Sequence, residues 1–125
     1  MAGGGRLWSP ETRRPTLVVG LGVSEAELDR RIDERTDAMV ARGVVDEVSA
    51  AVRSGISPTA EKALGLRELS TLPLADARGR IVTRTRRYAA YQRKWMRRIP
   101  GIEMVDAERP PEHVADAILD LARAR

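Results

Sequence analysis

Residues 78–98 read RGRIVTRTRRYAAYQRKWMRR, and the rest of the chain is arranged around them. The stretch carries nine cationic side chains, Arg78, Arg80, Arg84, Arg86, Arg87, Arg93, Lys94, Arg97 and Arg98, and no acid. The whole chain has 22 Lys and Arg against 18 Asp and Glu. Outside the stretch 13 bases therefore face 18 acids, a balance of −5, so the formal net charge of +4 originates in this one segment. Three of the four aromatic residues, Tyr88, Tyr91 and Trp95, lie inside it as well. Arg and Lys are good helix formers, and with Pro100-Gly101 as a stop the spacing predicts one long helix from about Ala75 to Arg98. Its inward stripe reads Ile81, Thr85, Tyr88, Ala89, Gln92, Trp95, Met96 and Ile99. A second stripe, Arg84, Arg87, Tyr91, Lys94 and Arg98, recurs at steps of three or four, so most of the arginines are expected to fan over the faces away from the core. Cations neutralise phosphates and flat rings stack on unpaired bases, which suits looped or single-stranded RNA better than duplex DNA. The alternative for any charged run is a solvated helix face.

Working upstream, Pro15 to Leu21 (PTLVVGL) is a short β-branched run that suits a strand buried on both faces. Ser24 and Glu27 form an S-x-x-E capping box opening a helix, with Leu28, Ile32, Thr36 and Met39 on its inner face and Gly43 at its end. Val44 to Arg53 reads as a second helix, with Val44, Val45, Val48 and Val52 inward and Gly55 closing it. Ser57-Pro58 announces a third, Thr59 to Leu72, stopped by Pro73. Gly65 in the middle of that helix costs about 1 kcal/mol relative to Ala, so it calls for a close-packing reason. Downstream, Ile102 to Val105 is a second strand. Pro110-Pro111 then introduces a final amphipathic helix, Glu112 to Ala124, with Val114, Ala115, Ile118, Leu121 and Ala122 inward. Residues 1–14 have no period and read as a flexible tail in which Trp8 has no place to dock. The fold class is α/β: a mainly helical chain with two short strands, paired in parallel through right-handed crossovers. Two strands alone do not make a stable sheet, so they read as part of a larger parallel sheet.

The residue inventory narrows the chemistry. There is no cysteine, hence neither a disulfide frame nor a thiolate metal site. The single histidine, His113, has no second ligand near it and reads as a surface residue. Asp33/Asp37 and Asp46/Glu47 read as surface charge. No GxxxxGK[ST] occurs to cradle a nucleotide phosphate, and Gly20 with Gly22 lacks the rest of a dinucleotide fingerprint. No apolar run reaches the ~20 residues that span a bilayer, and MAGGGRLW is too short for a signal peptide. The cytoplasm is the expected compartment, and a pI near 10.3 points to a polyanionic partner.

Two blocks then carry a family resemblance. Ala63-Leu64-Gly65-Leu66-Arg67-Glu68 resembles the A-[IL]-G-[YFL]-[RK]-E signature of bacterial tRNA dimethylallyltransferases. Thr85-Arg86-x-Tyr88-Ala89-x-x-Gln92-x-x-Trp95-x-Arg97 resembles the TR-x-YAKRQ-x-TWFR block of the same family. The spacing between them fits, as do the pattern from Arg31 to Val48 and the strand ending at Asp106. The resemblance covers roughly residues 6 to 125 and corresponds to the C-terminal half of the family's fold. It implies a P-loop NTPase-like α/β fold with a helical insertion. It also implies transfer of a dimethylallyl group from its diphosphate to the exocyclic amine of the adenine beside the tRNA anticodon, with magnesium. The target base is turned out of its stack, as enzymes acting on bases require.

By the same resemblance, Arg67 would face the diphosphate or the tRNA backbone. Arg86, Arg87, Tyr88, Ala89, Gln92, Arg93, Lys94 and Arg97 would contact the anticodon stem-loop, with Gly65, Glu68, Thr85 and Trp95 as structural support. No catalytic residue or metal ligand is expected in this chain. The P-loop, the general base and most of the Mg2+ site would belong to a separate P-loop half, so the chain alone is expected to be inactive. A truncated start or a split gene would account for that. The sequence departs from the family block at Ala90 and Tyr91, where it reads Lys-Arg, and at Lys94 and Met96, where it reads Thr and Phe. The other reading is a non-enzymatic helical RNA-binding module that keeps only the basic helix. Neither reading involves a membrane or DNA.

Overall fold

A computed structural model describes residues 11–125. The elements in order are β1 (Val19–Gly22), α1 (Glu25–Ala41), α2 (Val44–Ser54), α3 (Pro58–Glu61), α4 (Leu66–Thr71), α5 (Leu74–Met96), β2 (Glu103–Asp106) and α6 (Pro111–Arg123). The chain divides into two compact units, residues 28–90 and a second made of the segments before and after them. The expectations for Trp8 and for most of the 1–14 tail lie outside the described residues.

In the terminal unit, β1 and β2 pair in parallel, with Val19 opposite Glu103 and Gly22 opposite Asp106. The Glu103 N–H donating to the Val18 carbonyl (2.9 Å) and the Ala107 N–H donating to that of Gly22 (2.8 Å) extend the ladder. The parallel pairing agrees with the expectation; burial on both faces does not. Gly20 and Val105 are buried, but Leu21 and Met104 are more than half exposed. Gly20 allows a close approach: a Cβ there would meet the Met104 sulfur at 2.6 Å and the Ile102 Cδ1 at 2.9 Å. Ser24 accepts from the Glu27 N–H at 3.3 Å, and Glu108 takes both the Ser24 N–H and its hydroxyl. α6 rests Val114, Ala117, Ile118 and Leu121 half-buried, while Ala115 and Ala122, expected inward, are exposed.

The central unit holds the better-closed core. Ile32, Val48, Ala77, Ile81 and Val82 are buried, together with Thr36, whose hydroxyl donates to the Ile32 carbonyl at 2.8 Å. Val52, expected inward on α2, is exposed. The single helix expected over 59–72 is in fact two. Ser57 caps α3 by accepting from the Ala60 N–H (3.1 Å), and after Glu61 the chain turns to Gly65, which sits at φ 94°. That left-handed conformation, not a mid-helix cost, is the reason for the glycine. It starts α4 with the Gly65 backbone against Ile81; a Cβ there would lie 3.5 Å from the Ile81 Cδ1.

Helix α5 also departs from its expected faces. Ala77, Ile81 and Val82 are buried and Thr85 and Ala89 half-buried, but Tyr88, Gln92 and Trp95 are exposed. Nor do all its arginines fan into solvent. Arg78 grips Asp37 with two hydrogen bonds (2.5 and 3.0 Å) and reaches Asp33 at 3.5 Å. Arg86 bridges Asp33 (3.0 Å) and Asp29 (3.1 Å). The acids of α1 at positions 29, 33 and 37 recur one helical turn apart, as do successive turns of α5, so two arginines clasp three carboxylates.

Two outcomes test this architecture. Gly65→Ala forces a side chain into the left-handed region and should destabilise the chain by about 1–2 kcal/mol, read as a lower Tm. The Arg78 hydrogen bond, aided by its charge and against some burial, holds the Asp37 carboxyl below its usual range. The stabilisation this gives is complete above the ordinary carboxylate pKa and fades as pH falls through the lowered value. Carboxylate NMR titration should find Asp37 below the usual range in the unaltered chain and back within it in Arg78→Ala.

Candidate nucleic-acid interface

Within the central unit the turn at Gly65 puts α4 against α5, and one ion pair fixes the contact. Glu68, 7% exposed, accepts from the Arg84 guanidinium. Burial pushes the Glu68 carboxyl pKa up. The Arg84 hydrogen bond, with the backbone N–H groups of Glu68 and Gly65, pulls it down, and the downward pull wins. Glu68 therefore stands as a carboxylate at neutral pH. Its Oε1 holds Arg84, while its Oε2 is buried and, among the described residues, has no hydrogen-bond partner.

An open cleft of about 690 Å³ lies beside this pair, lined by Lys62, Arg67, Glu68, Leu72, Arg80 and Arg84 among others. A smaller one of about 300 Å³ shares Glu68, Arg80 and Arg84 and adds Gly79, Thr83 and Arg87. Among the described residues no carboxylate pairs with Lys62, Arg67, Arg80 or Arg87. The one other acid lining the larger cleft is Glu61. The residues 80, 84 and 87 share one face of α5, turned away from the face on which Arg78 and Arg86 meet α1. The cleft thus offers an anion several unengaged guanidinium and ammonium groups around one anchored arginine.

The expected site residues distribute as follows. Arg67 is exposed and lines the larger cleft; Arg87 is exposed and lines the smaller. Gly65 and Glu68 build the turn and the ion pair, and the Thr85 hydroxyl donates to the Ile81 carbonyl at 2.7 Å. Arg86 is engaged by Asp29 and Asp33, Tyr88 is 64% exposed, and Ala89 is half-buried. In the terminal unit Gln92, Lys94 and Arg97 are exposed, and Arg93 lies 4.0 Å from Glu25. Arg98 covers the Trp95 ring at 5.4 Å, a cation–π contact. Sequence reading did not single out Lys62, Arg80 or Arg84 as site residues. Arg80 was detectable as the start of the 80, 84, 87 series; Lys62 was not, because the turn that presents it was read as helix. Among the described residues no three His, Cys, Asp or Glu side chains gather to hold a metal.

The model of the family described as IPP transferase matches residues 5–99. The tRNA dimethylallyltransferase of Thermomicrobium roseum is 42% identical over 101 residues, covering 75% of this chain and 31% of the relative. That of Acidothermus cellulolyticus is 39% identical, covering 87% of this chain and 35% of the relative. The crystal structure of the tRNA delta(2)-isopentenylpyrophosphate transferase from Staphylococcus epidermidis superposes with a TM-score of 0.78 at 26% identity. It covers 88% of this chain, which spans 39% of that structure. The Bacillus halodurans tRNA isopentenylpyrophosphate transferase shares the fold at a TM-score of 0.75. The chain spans about a third of the length of the curated relatives it matches. With three-quarters of its length covered by the family model, and relatives of one description aligned along it, the chain belongs to the IPP transferase family, that of the tRNA dimethylallyltransferases.

Proposed function

We propose that this chain is the part of a tRNA dimethylallyltransferase that grips the RNA and the phosphates of the prenyl donor. The reaction breaks the bond between the dimethylallyl carbon and its diphosphate and forms one from that carbon to the exocyclic amine of adenine. Pyrophosphate leaves and the amine gives up a proton. The target is the adenine next to the anticodon. Arg67 meets the charge that builds on the departing diphosphate, or the adjoining tRNA backbone. Arg87, Tyr88, Gln92, Lys94 and Arg97 contact the anticodon stem-loop, Arg86 and Arg93 contribute from positions already steadied by carboxylates, and Ala89 leaves room for the strand. Residues 15–125 form the C-terminal part of the enzyme's P-loop NTPase-like domain, and the cytoplasm supplies the tRNA.

One observation carries this reading. The ion pair links Glu68, the last residue of the first family-like block, to Arg84, which stands immediately before the second, and beside it Arg67 opens onto a cleft lined by further cations. Arg67 supplies a preorganised cation for the negative charge that develops as the diphosphate departs, and the neighbouring cations suit the phosphates of the RNA. The chain has no GxxxxGK[ST], so the loop that cradles the donor's phosphates, the general base and the residues for Mg2+ come from further polypeptide. The same polypeptide would extend the β1–β2 sheet at its edges and cover the faces on which Leu21 and Met104 are exposed.

The test mixes the chain with the P-loop-bearing part of a family member and follows transfer of labelled dimethylallyl to an anticodon stem-loop RNA. Transfer should require both parts; none, under conditions where an intact relative works, counts against the proposal. Arg67→Ala, at an exposed position, should lower kcat by at least about tenfold while changing RNA affinity much less.

A further inference from the structure

The cations of the central unit fall into two groups that sequence alone does not separate. Arg78 and Arg86 are committed to Asp29, Asp33 and Asp37 of α1. Lys62, Arg80 and Arg87 are exposed and, among the described residues, paired with no acid. Arg84 stands between the groups: its side chain is 48% exposed, yet it is bound at one end to a Glu68 side chain that is only 9% exposed. Glu68, Arg80 and Arg84 line both clefts. The pair therefore stands at the border that the two clefts share, a divider between them, and Arg80 lines both.

Glu68 is an odd choice if holding α4 to α5 were its whole task. A buried carboxylate pays desolvation, and replacing such ion pairs with apolar packing is often neutral or stabilising. This one also leaves Oε2 buried without a partner among the described residues, which native structures seldom tolerate without a reason. What the carboxylate does provide is direction. A guanidinium held at one end has its remaining N–H groups fixed in a planar fork, the geometry that suits phosphate oxygens. Two adjoining spaces ringed by fixed and free cations fit successive phosphates better than one compact anion.

We infer that Lys62, Arg80, Arg84 and Arg87 form a track for the phosphodiester backbone of an RNA strand, and that Glu68 is the positioning residue that sets Arg84 within it. This rests on the RNA-gripping role proposed above and adds Lys62, Arg80 and the Glu68–Arg84 divider to it. Arg67 is left to the donor's phosphates.

Binding of the full 125-residue chain to a fluorescent anticodon stem-loop RNA, followed by anisotropy across a salt series, tests it. Lys62→Ala and Arg80→Ala should each weaken binding roughly three- to tenfold and reduce the steepness of log K against log salt by about 0.7–1. Arg53→Ala, an exposed cation outside the clefts, should do neither. Glu68→Gln is the sharper arm. Removing a negative charge beside a phosphate should tighten binding if only net charge matters. A positioning role requires weaker binding, with Arg84→Lys showing a similar loss although its charge is kept. Melting curves establish that each variant is folded at the assay temperature, and Lys62→Ala and Arg80→Ala decide the matter if Glu68→Gln is not.

Unchanged slopes in Lys62→Ala and Arg80→Ala, tighter binding by folded Glu68→Gln, or no binding by the unaltered chain at low salt would each overturn the inference. So would displacement of the RNA by inorganic pyrophosphate with both alanine variants losing pyrophosphate affinity in parallel, since the clefts would then belong to a compact diphosphate. Prenyl transfer in the mixed enzyme with unaffected RNA slopes sinks the track and leaves the proposed function standing. Altered slopes with no prenyl transfer do the reverse.

Discussion

Which arginines of α5 are available to a ligand is decided by where the chain's own carboxylates stand. Asp29, Asp33 and Asp37 line up along α1 and engage Arg78 and Arg86, and Glu68 engages Arg84 from α4. Exposed pairs of the α1 type contribute little to stability, typically 0–1 kcal/mol each. Their consequence is spatial. By drawing two arginines to one side of α5 they leave residues 80, 84 and 87 as a separate cationic face. A helix with its positive charge spread evenly would attract polyanions in any orientation. One with half its arginines neutralised presents a single charged face, and that gives a bound strand a direction.

The Glu68–Arg84 pair works on different terms. Its carboxylate is buried, so removing Arg84 would strand a charge and removing Glu68 would free a guanidinium. Gly65 is what brings the pair together. Only a residue at ease with a positive φ lets the chain reverse before α4, and that reversal brings Glu68 to α5 while Arg67, its neighbour, faces outward. The motif Gly65-Leu66-Arg67-Glu68 is thus a small machine for placing adjacent residues on opposite sides of a wall. Its glycine makes the bend, its glutamate anchors, and its arginine is presented.

Much of this was legible before any coordinates. The long basic helix, the capping Ser57-Pro58, the glycine stops and the parallel pairing all follow from local chemistry that acts within a turn or two. Tyr88, Gln92 and Trp95 were assigned inward because large flat or apolar groups at helical spacing usually are. The helix instead seats itself on small and branched residues, Ala77, Ile81 and Val82, near its start, and its wider side chains stay in solvent. The break at Gly65 was hidden because Ala, Leu, Lys and Glu on either side all favour helix. The ion pairs of Arg78 and Arg86 reach acids more than 40 residues away in sequence, and no periodicity carries that information.

The surfaces left unsatisfied are of two chemical kinds, and each selects its own partner. In the terminal unit the β1–β2 ladder buries Gly20 and Val105 but exposes Leu21 and Met104. Two parallel strands do not enclose a core, and parallel sheets are stable when covered on both faces. An apolar surface of that sort is met by more polypeptide. In the central unit the core is closed, and the two clefts beside it expose charge without counter-charge. That surface cannot be met by apolar polypeptide, because burying Arg80 or Lys62 unpaired would cost more than the contact returns. A polyanion brings the missing charge and keeps the cations partly hydrated. The division follows from composition: a chain of −5 outside residues 78–98 has acids enough to fix some of that helix's arginines, and they have been placed where they leave one face of it bare.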